Sequence, residues 1–264
     1  MTATSPWPTV LAIHGGPMLM YGHGFSFEFQ LLAAAGYAVV YANPRGSQGH
    51  GEAHCTAIYE RWGDRDAADV LTAFDVALAA EPRLAARDRI AVSGGSYGGY
   101  LATWLVAHSE RFKAGVVGRP VIDWRSMVAS GDGGPDLMAR AGGVPPWRDD
   151  AWYREQSPIT YVDRITTPLL IEHGEEDLRC PIGQSEALFT AMKWLGKAPV
   201  ALVRYPREFH AMARTGEPWH RVHRLWSIRE WLDRYLAAAP PADGGRCDPG
   251  PMATAAAPRR PGRG

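Results

Sequence analysis

The sequence predicts an α/β protein: a mainly parallel sheet of about six strands with helices on both faces. Three observations carry this. Six short apolar runs recur along 264 residues. Helical stripes separate them. The runs are continuously apolar rather than alternating, as in strands buried on both faces.

The first run is Val10-Leu11-Ala12-Ile13, closed by the turn His14-Gly15-Gly16-Pro17. Tyr37-Ala38-Val39-Val40-Tyr41 is the second, closed by Asn43-Pro44-Arg45-Gly46. Ile90-Ala91-Val92-Ser93 precedes a glycine-rich turn, and Ala114-Gly115-Val116-Val117 follows it. Leu169-Leu170-Ile171-Glu172 ends at His173-Gly174, and Val200 to Tyr205 is the last. Between them, Asp66 to Ala80 carries Val70, Leu71, Phe74 and Leu78 at helical spacing. Tyr97 to His108, Ile182 to Leu195 and Trp219 to Leu236 are the other expected helices.

The stretch from about Val121 to Tyr161 breaks the alternation and reads as an insert, helical and placed to cover a site. Residues 1–236 are expected to form one domain. Residues 237–264 turn to Ala, Pro, Gly and Arg without an apolar pattern and read as a disordered tail.

Lys+Arg and Asp+Glu both number 28, so the net charge is zero. This gives no electrostatic case for nucleic acid or a membrane surface as partner. The three cysteines, Cys55, Cys180 and Cys247, are scattered and read as free thiols. There is no signal-peptide pattern and no long apolar span, so a cytoplasmic protein is expected. His50 and His54 lack supporting ligands for a metal. No dinucleotide fingerprint or Walker sequence is present, and no cofactor is expected.

Gly94-Gly95-Ser96-Tyr97-Gly98 fits G-x-S-x-G between an expected strand and an expected helix, the context of a nucleophile elbow. Flanking glycines let the chain turn sharply, with the serine oxygen clear of the sheet. A serine needs a base, and the base an acid. In α/β-hydrolases these follow in the order Ser, Asp or Glu, His. After the fifth run come Glu175, Glu176 and Asp177; after the sixth comes His210. Asp177 lies past the first turn, where a loop can aim it back over the sheet. His210 is the only histidine directly after the sixth run. His220 and His223 read as surface or packing residues of the last helix; His14 and His173 read as loop-holding residues. The oxyanion needs backbone N–H donors, expected from Tyr97 and from the loop His14–Pro17.

Seven motifs then occur in series: His-Gly-Gly-Pro at 14–17, Asn-Pro-Arg-Gly-Ser at 43–47, Gly-Gly-Ser-Tyr-Gly-Gly-Tyr at 94–100 and Gly-Arg-Pro-Val-Ile-Asp-Trp at 118–124, then Ser-Pro-Ile-Thr-Tyr-Val at 157–162, His-Gly-Glu-Glu-Asp-Leu-Arg-Cys-Pro at 173–181 and Glu-Phe-His at 208–210. Together they resemble the catalytic domain of the prolyl oligopeptidase family, in particular its acylaminoacyl-peptidase-like and dipeptidyl-peptidase-like branches. The resemblance implies a Ser/Asp/His hydrolase of short or N-acylated peptides, with Ser96, Asp177 and His210 as triad. It also places the oxyanion donors at Tyr97 and Gly16. Tyr100, Trp124 and the 121–161 insert are candidates for the substrate pocket wall, with core packing the alternative for each.

Members of that family usually carry an N-terminal β-propeller and two further leading strands. Neither is seen before the first run, so six strands are expected rather than eight. Unpaired sheet edges favour self-association. Two other readings remain: a carboxylesterase using the same triad, and a non-catalytic fragment dependent on a partner.

Overall fold

The computed structural model describes residues 6–84, 88–141 and 143–236; the expected tail at 237–264 lies outside them. In chain order, β1 (Thr9–Ile13) leads to α1 (Phe27–Ala34), β2 (Ala38–Tyr41), α2 (Glu52–Thr56), α3 (Arg65–Ala80), β3 (Ile90–Gly95), α4 (Tyr97–His108) and β4 (Ala114–Gly118). An insert follows, built of α5 (Trp124–Ser130), α6 (Gly134–Ala141), α7 (Asp150–Glu155) and a 3-10 segment (Pro158–Arg164). β5 (Leu169–Gly174), α8 (Gly183–Leu195), β6 (Val200–Tyr205), α9 (Met212–Thr215) and α10 (Pro218–Leu236) complete the order.

The six strands form one sheet in the order β2-β1-β3-β4-β5-β6, and every neighbouring pair is parallel. Strand periodicity divides the core between the two faces. On β1, Leu11 and Ile13 face a cluster with Phe74, Leu101, Leu105 and Leu188, while Val10 faces Leu32, Ile228 and Leu232. The first cluster lies under α3, α4 and α8; the second lies under α1 and α10.

Three helices were not expected: α1, α2 and the four-residue α9. α1 (Phe-Glu-Phe-Gln-Leu-Leu-Ala-Ala) is apolar on nearly every side, so its sequence shows no helical stripe. Its start is marked instead by Ser26, whose hydroxyl accepts from the Phe29 N–H at 3.4 Å. α2 is only five residues long, too short for periodicity to register. β2 also differs from a fully buried strand. It is an edge strand, with Val39 and Val40 half-buried and Tyr41 exposed.

The close approach of α4 to the sheet depends on glycine. A Cβ on Gly98 would collide with the Ile13 carbonyl oxygen, and one on Gly94 with the Gly98 carbonyl oxygen. Packing this tight sets the N-terminus of α4 directly above the ends of β1 and β3.

Candidate active site

Ser96 sits between the end of β3 and the first residue of α4, with φ 62° and ψ −123°. A non-glycine residue there carries backbone strain of about 1–3 kcal/mol. The hydrogen bond from the Ser96 N–H to the Gly118 carbonyl, at 2.9 Å, helps hold it. Tyr97 opens the helix, so its N–H is one of the donors that a helix start leaves free. Its ring is fully buried, and its hydroxyl donates to Asp66 at 2.7 Å. Asp66 also accepts from the N–H groups of Gly63 and Ala67. Burial pushes the Asp66 carboxyl up to about 6, against the pull of these hydrogen bonds.

His210 follows β6 and reaches back over the sheet. Its Nε2 lies 3.0 Å from Ser96 Oγ, and its Nδ1 lies 2.7 Å from Asp177 Oδ2. Nδ1–H donates to the carboxylate, which leaves Nε2 as acceptor for the serine hydroxyl. The other Asp177 oxygen accepts from the backbone N–H groups of Arg179 and Cys180, each at 2.9 Å. Burial alone would raise the Asp177 carboxyl; its hydrogen bonds with His173 and His210 outweigh that and hold it well below the usual range. Burial lowers the His210 imidazole below 6.5, and the Asp177 charge only partly offsets this. The ring is therefore neutral at neutral pH, the state a general base needs.

Each loop is fastened by a buried histidine. His14 Nδ1 donates to the Gly15 carbonyl at 2.7 Å, and its Nε2 accepts from the Ser47 hydroxyl at 2.8 Å. His173 Nε2 donates to the Cys180 carbonyl at 2.7 Å, and its Nδ1 accepts from the Ser185 hydroxyl at 2.6 Å. Glu175 and Glu176 are exposed at the turn, while Asp177 is 3% exposed. Among the described residues, the N–H groups of Gly16 and Tyr97 have no protein acceptor.

Ser96, His210, Tyr97 and Gly16 line one cleft of about 610 Å³ beneath the insert. Tyr100 and Trp124 do not line it. Both are 0% exposed and pack behind Trp62, with ring centroids 5.7 and 4.7 Å from it. The pocket-wall expectation is corrected for both. The wall is Trp62, Val121, Met127 and Leu137 instead. Continuous aromatic burial decides this, and adjacency to a motif in sequence could not reveal it.

Several residues escaped the sequence reading. Glu208, buried at 1%, accepts from the Glu217 N–H and from His220 Nδ1, each at 2.7 Å. It thereby ties the loop carrying His210 to the start of α10. Asp66 anchors Tyr97 from 31 residues away, and Arg119 and Arg214 line the cleft. Two of them stood inside quoted motifs without an assigned role, Glu208 in Glu-Phe-His and Arg119 in Gly-Arg-Pro-Val-Ile-Asp-Trp.

Residues 23–239 match the prolyl oligopeptidase family. The chain belongs to that family. Its fold is the α/β-hydrolase fold. The Bacillus subtilis protein described as uncharacterized peptidase YuxL is 43% identical over 236 residues, covering 89% of this chain and 36% of that protein. The Pyrococcus horikoshii acylaminoacyl peptidase structure superposes with a TM-score of 0.85 at 35% identity, covering 89% of this chain and 38% of that one. An acylaminoacyl peptidase in complex with Z-Gly-Gly-Phe-chloromethyl ketone superposes with a TM-score of 0.86 at 34% identity, covering 94% and 39%. This family member thus spans well under half the length of these proteins. Among its described residues, no helix is long and apolar enough to cross a membrane.

Proposed function

We propose that this chain is a serine peptidase catalytic domain that hydrolyses short or N-acylated peptides through an acyl-enzyme on Ser96. The observation that carries the reading is the hydrogen-bonded relay from Ser96 through His210 to Asp177, at 3.0 and 2.7 Å. The Ser96 oxygen attacks the scissile carbonyl while its proton passes to His210 Nε2. The carbonyl oxygen becomes an oxyanion facing the N–H groups of Tyr97 and Gly16. The C–N bond then breaks, and the leaving amine takes the proton from His210. Water repeats the sequence on the ester, giving the acid and restoring Ser96. Asp177 holds the imidazole in the working tautomer throughout.

The apolar wall of Trp62, Val121, Met127 and Leu137 suits an apolar substrate side chain. The free thiols of Cys55 and Cys180 fit a reducing, cytoplasmic compartment. Outer edges of β2 and β6 left unpaired among the described residues support self-association, which light scattering would register.

Fluorophosphonate labelling tests the reading. Wild type should label and Ser96→Ala should not; equal labelling of the two would sink it. Turnover of an acetyl-aminoacyl anilide should accompany turnover of a p-nitrophenyl ester. Ester turnover alone would make the protein a carboxylesterase with the same triad.

A further inference from the structure

We propose that Arg119 and Arg214 form a carboxylate-binding site on the leaving-group side of Ser96, so that the enzyme prefers peptides cleaved next to a free C-terminus. The proposal rests on the peptidase reading above. Four arginines line the cleft: Arg119, Arg140, Arg179 and Arg214. Arg140 is paired with Asp136 at 3.0 Å, and Arg179 with Asp132 at 2.5 Å. Among the described residues, the guanidinium groups of Arg119 and Arg214 have no carboxylate and no hydrogen-bond partner.

Arg119 is held where it is. Its φ is 39°, uncommon for a residue with a side chain. Its N–H donates to the Glu172 carbonyl at 2.7 Å. Its side chain lies flat across Gly95, where an added methyl would come within 2.9–3.1 Å of the guanidinium atoms. Its Nε is buried without a partner. Burial, first, and the like charges of Arg224 and Arg214 act against its protonated form and outweigh the pull of Cys180 and Asp177. The nearby carboxylates are committed elsewhere: Asp177 to His210 and two N–H groups, and Glu172 to Arg224 at 3.3 Å. A half-buried cation with its Nε buried and no ion-pair partner favours an incoming anion. The planar guanidinium fork matches a carboxylate.

Position selects the leaving side. β4 flanks β3 opposite to β1, so Arg119 lies across Ser96 from Gly16. Arg214 stands on α9, four residues past His210. The amine departs with the proton of His210 Nε2, so the departing residue lies on the side where both cations stand.

The test compares an acetylated dipeptide, acetyl-Phe-Ala, with its C-terminal amide. The free acid is expected to show kcat/KM about ten- to a hundredfold higher, the range of a hydrogen bond to a charged group. Arg119→Gln and Arg214→Gln should each bring the acid-to-amide ratio toward one, and Arg119→Lys should retain part of it. The ratio is internal to each variant, and fluorophosphonate labelling reports folding. Equal turnover of acid and amide by wild type, or an unchanged ratio in both glutamine variants, would overturn the proposal. So would a preference for acetyl-Glu over acetyl-Gln anilide that the same variants abolish, since it would put the carboxylate on the acyl side. If Ser96 labels but no peptide is cleaved, the peptidase reading fails. The carboxylate site is then read by protection: the free acid should slow labelling more than the amide in wild type and not in the glutamine variants. Equal protection would reject the site.

Discussion

Replacing Tyr97 by Phe removes one hydroxyl and leaves a buried charge short of a partner. The hydroxyl donates to Asp66 at 2.7 Å, and Asp66 is 0% exposed. In the folded chain the Asp66 carboxyl sits at about 6 rather than 3.8, chiefly because burial penalises its charge. A folded pKa above the unfolded one means that the native state binds more protons between those values. Asp66 therefore weakens the fold as pH rises from about 4 to about 6, by ~3 kcal/mol in total. The Tyr97 hydrogen bond opposes this by favouring the ionised form. Its loss should cost about 2–3 kcal/mol at pH 8, where Asp66 is charged, and about 1 kcal/mol at pH 5, where it is mostly protonated. Urea denaturation of wild type and Tyr97→Phe at both pH values measures the difference, with other titrating groups cancelling between the two proteins. Each kcal/mol corresponds to roughly 2–4 °C in Tm for a domain of this size. A destabilisation equal at pH 5 and pH 8, or absent at pH 8, would refute the electrostatic account of Asp66.

Asp177→Asn should lower kcat/KM by about 10⁴ through the wrong imidazole tautomer; a loss below tenfold in ester turnover would remove Asp177 from the relay. The kcat/KM profile should rise with pH as His210 loses its proton, with a midpoint below 6.5 and a plateau at neutrality, because burial lowers that imidazole. A midpoint above 7 would contradict the geometry. Gly98→Ala should destabilise by about 3 kcal/mol or more, since its Cβ meets the Ile13 backbone oxygen; an unchanged Tm would show that α4 can shift.

Much of the fold was legible because both strand and helix signals are local. The turn after β3 and the start of α4 at Tyr97 are written in adjacent glycines and apolar residues. α1 was missed for the opposite reason: a helix apolar on most sides has no period to read. Tyr100 and Trp124 were misplaced because nothing in their spacing distinguishes a pocket wall from the layer behind it. Arg214 carried no signal, and Arg119 stood inside the motif at 118–124 with nothing to mark its side chain as unpaired. An arginine is noteworthy only when its surroundings leave it unpaired, and pairing is decided by residues far away in the chain.

By itself, the sequence determined the parallel α/β architecture, the elbow around Ser96, and the chain order of Ser96, Asp177 and His210 at successive strand ends. These rest on periodicity and turn chemistry within a few residues. The tertiary structure decided everything that depends on distance between segments. It brought His210 to 3.0 Å from Ser96 across 114 residues, lowered that imidazole by burial, tied Tyr97 to Asp66 and left the buried Arg119 Nε without a partner. Packing sets those values because the energy of a charge or hydrogen bond depends on what surrounds it, and a linear pattern does not contain its own surroundings.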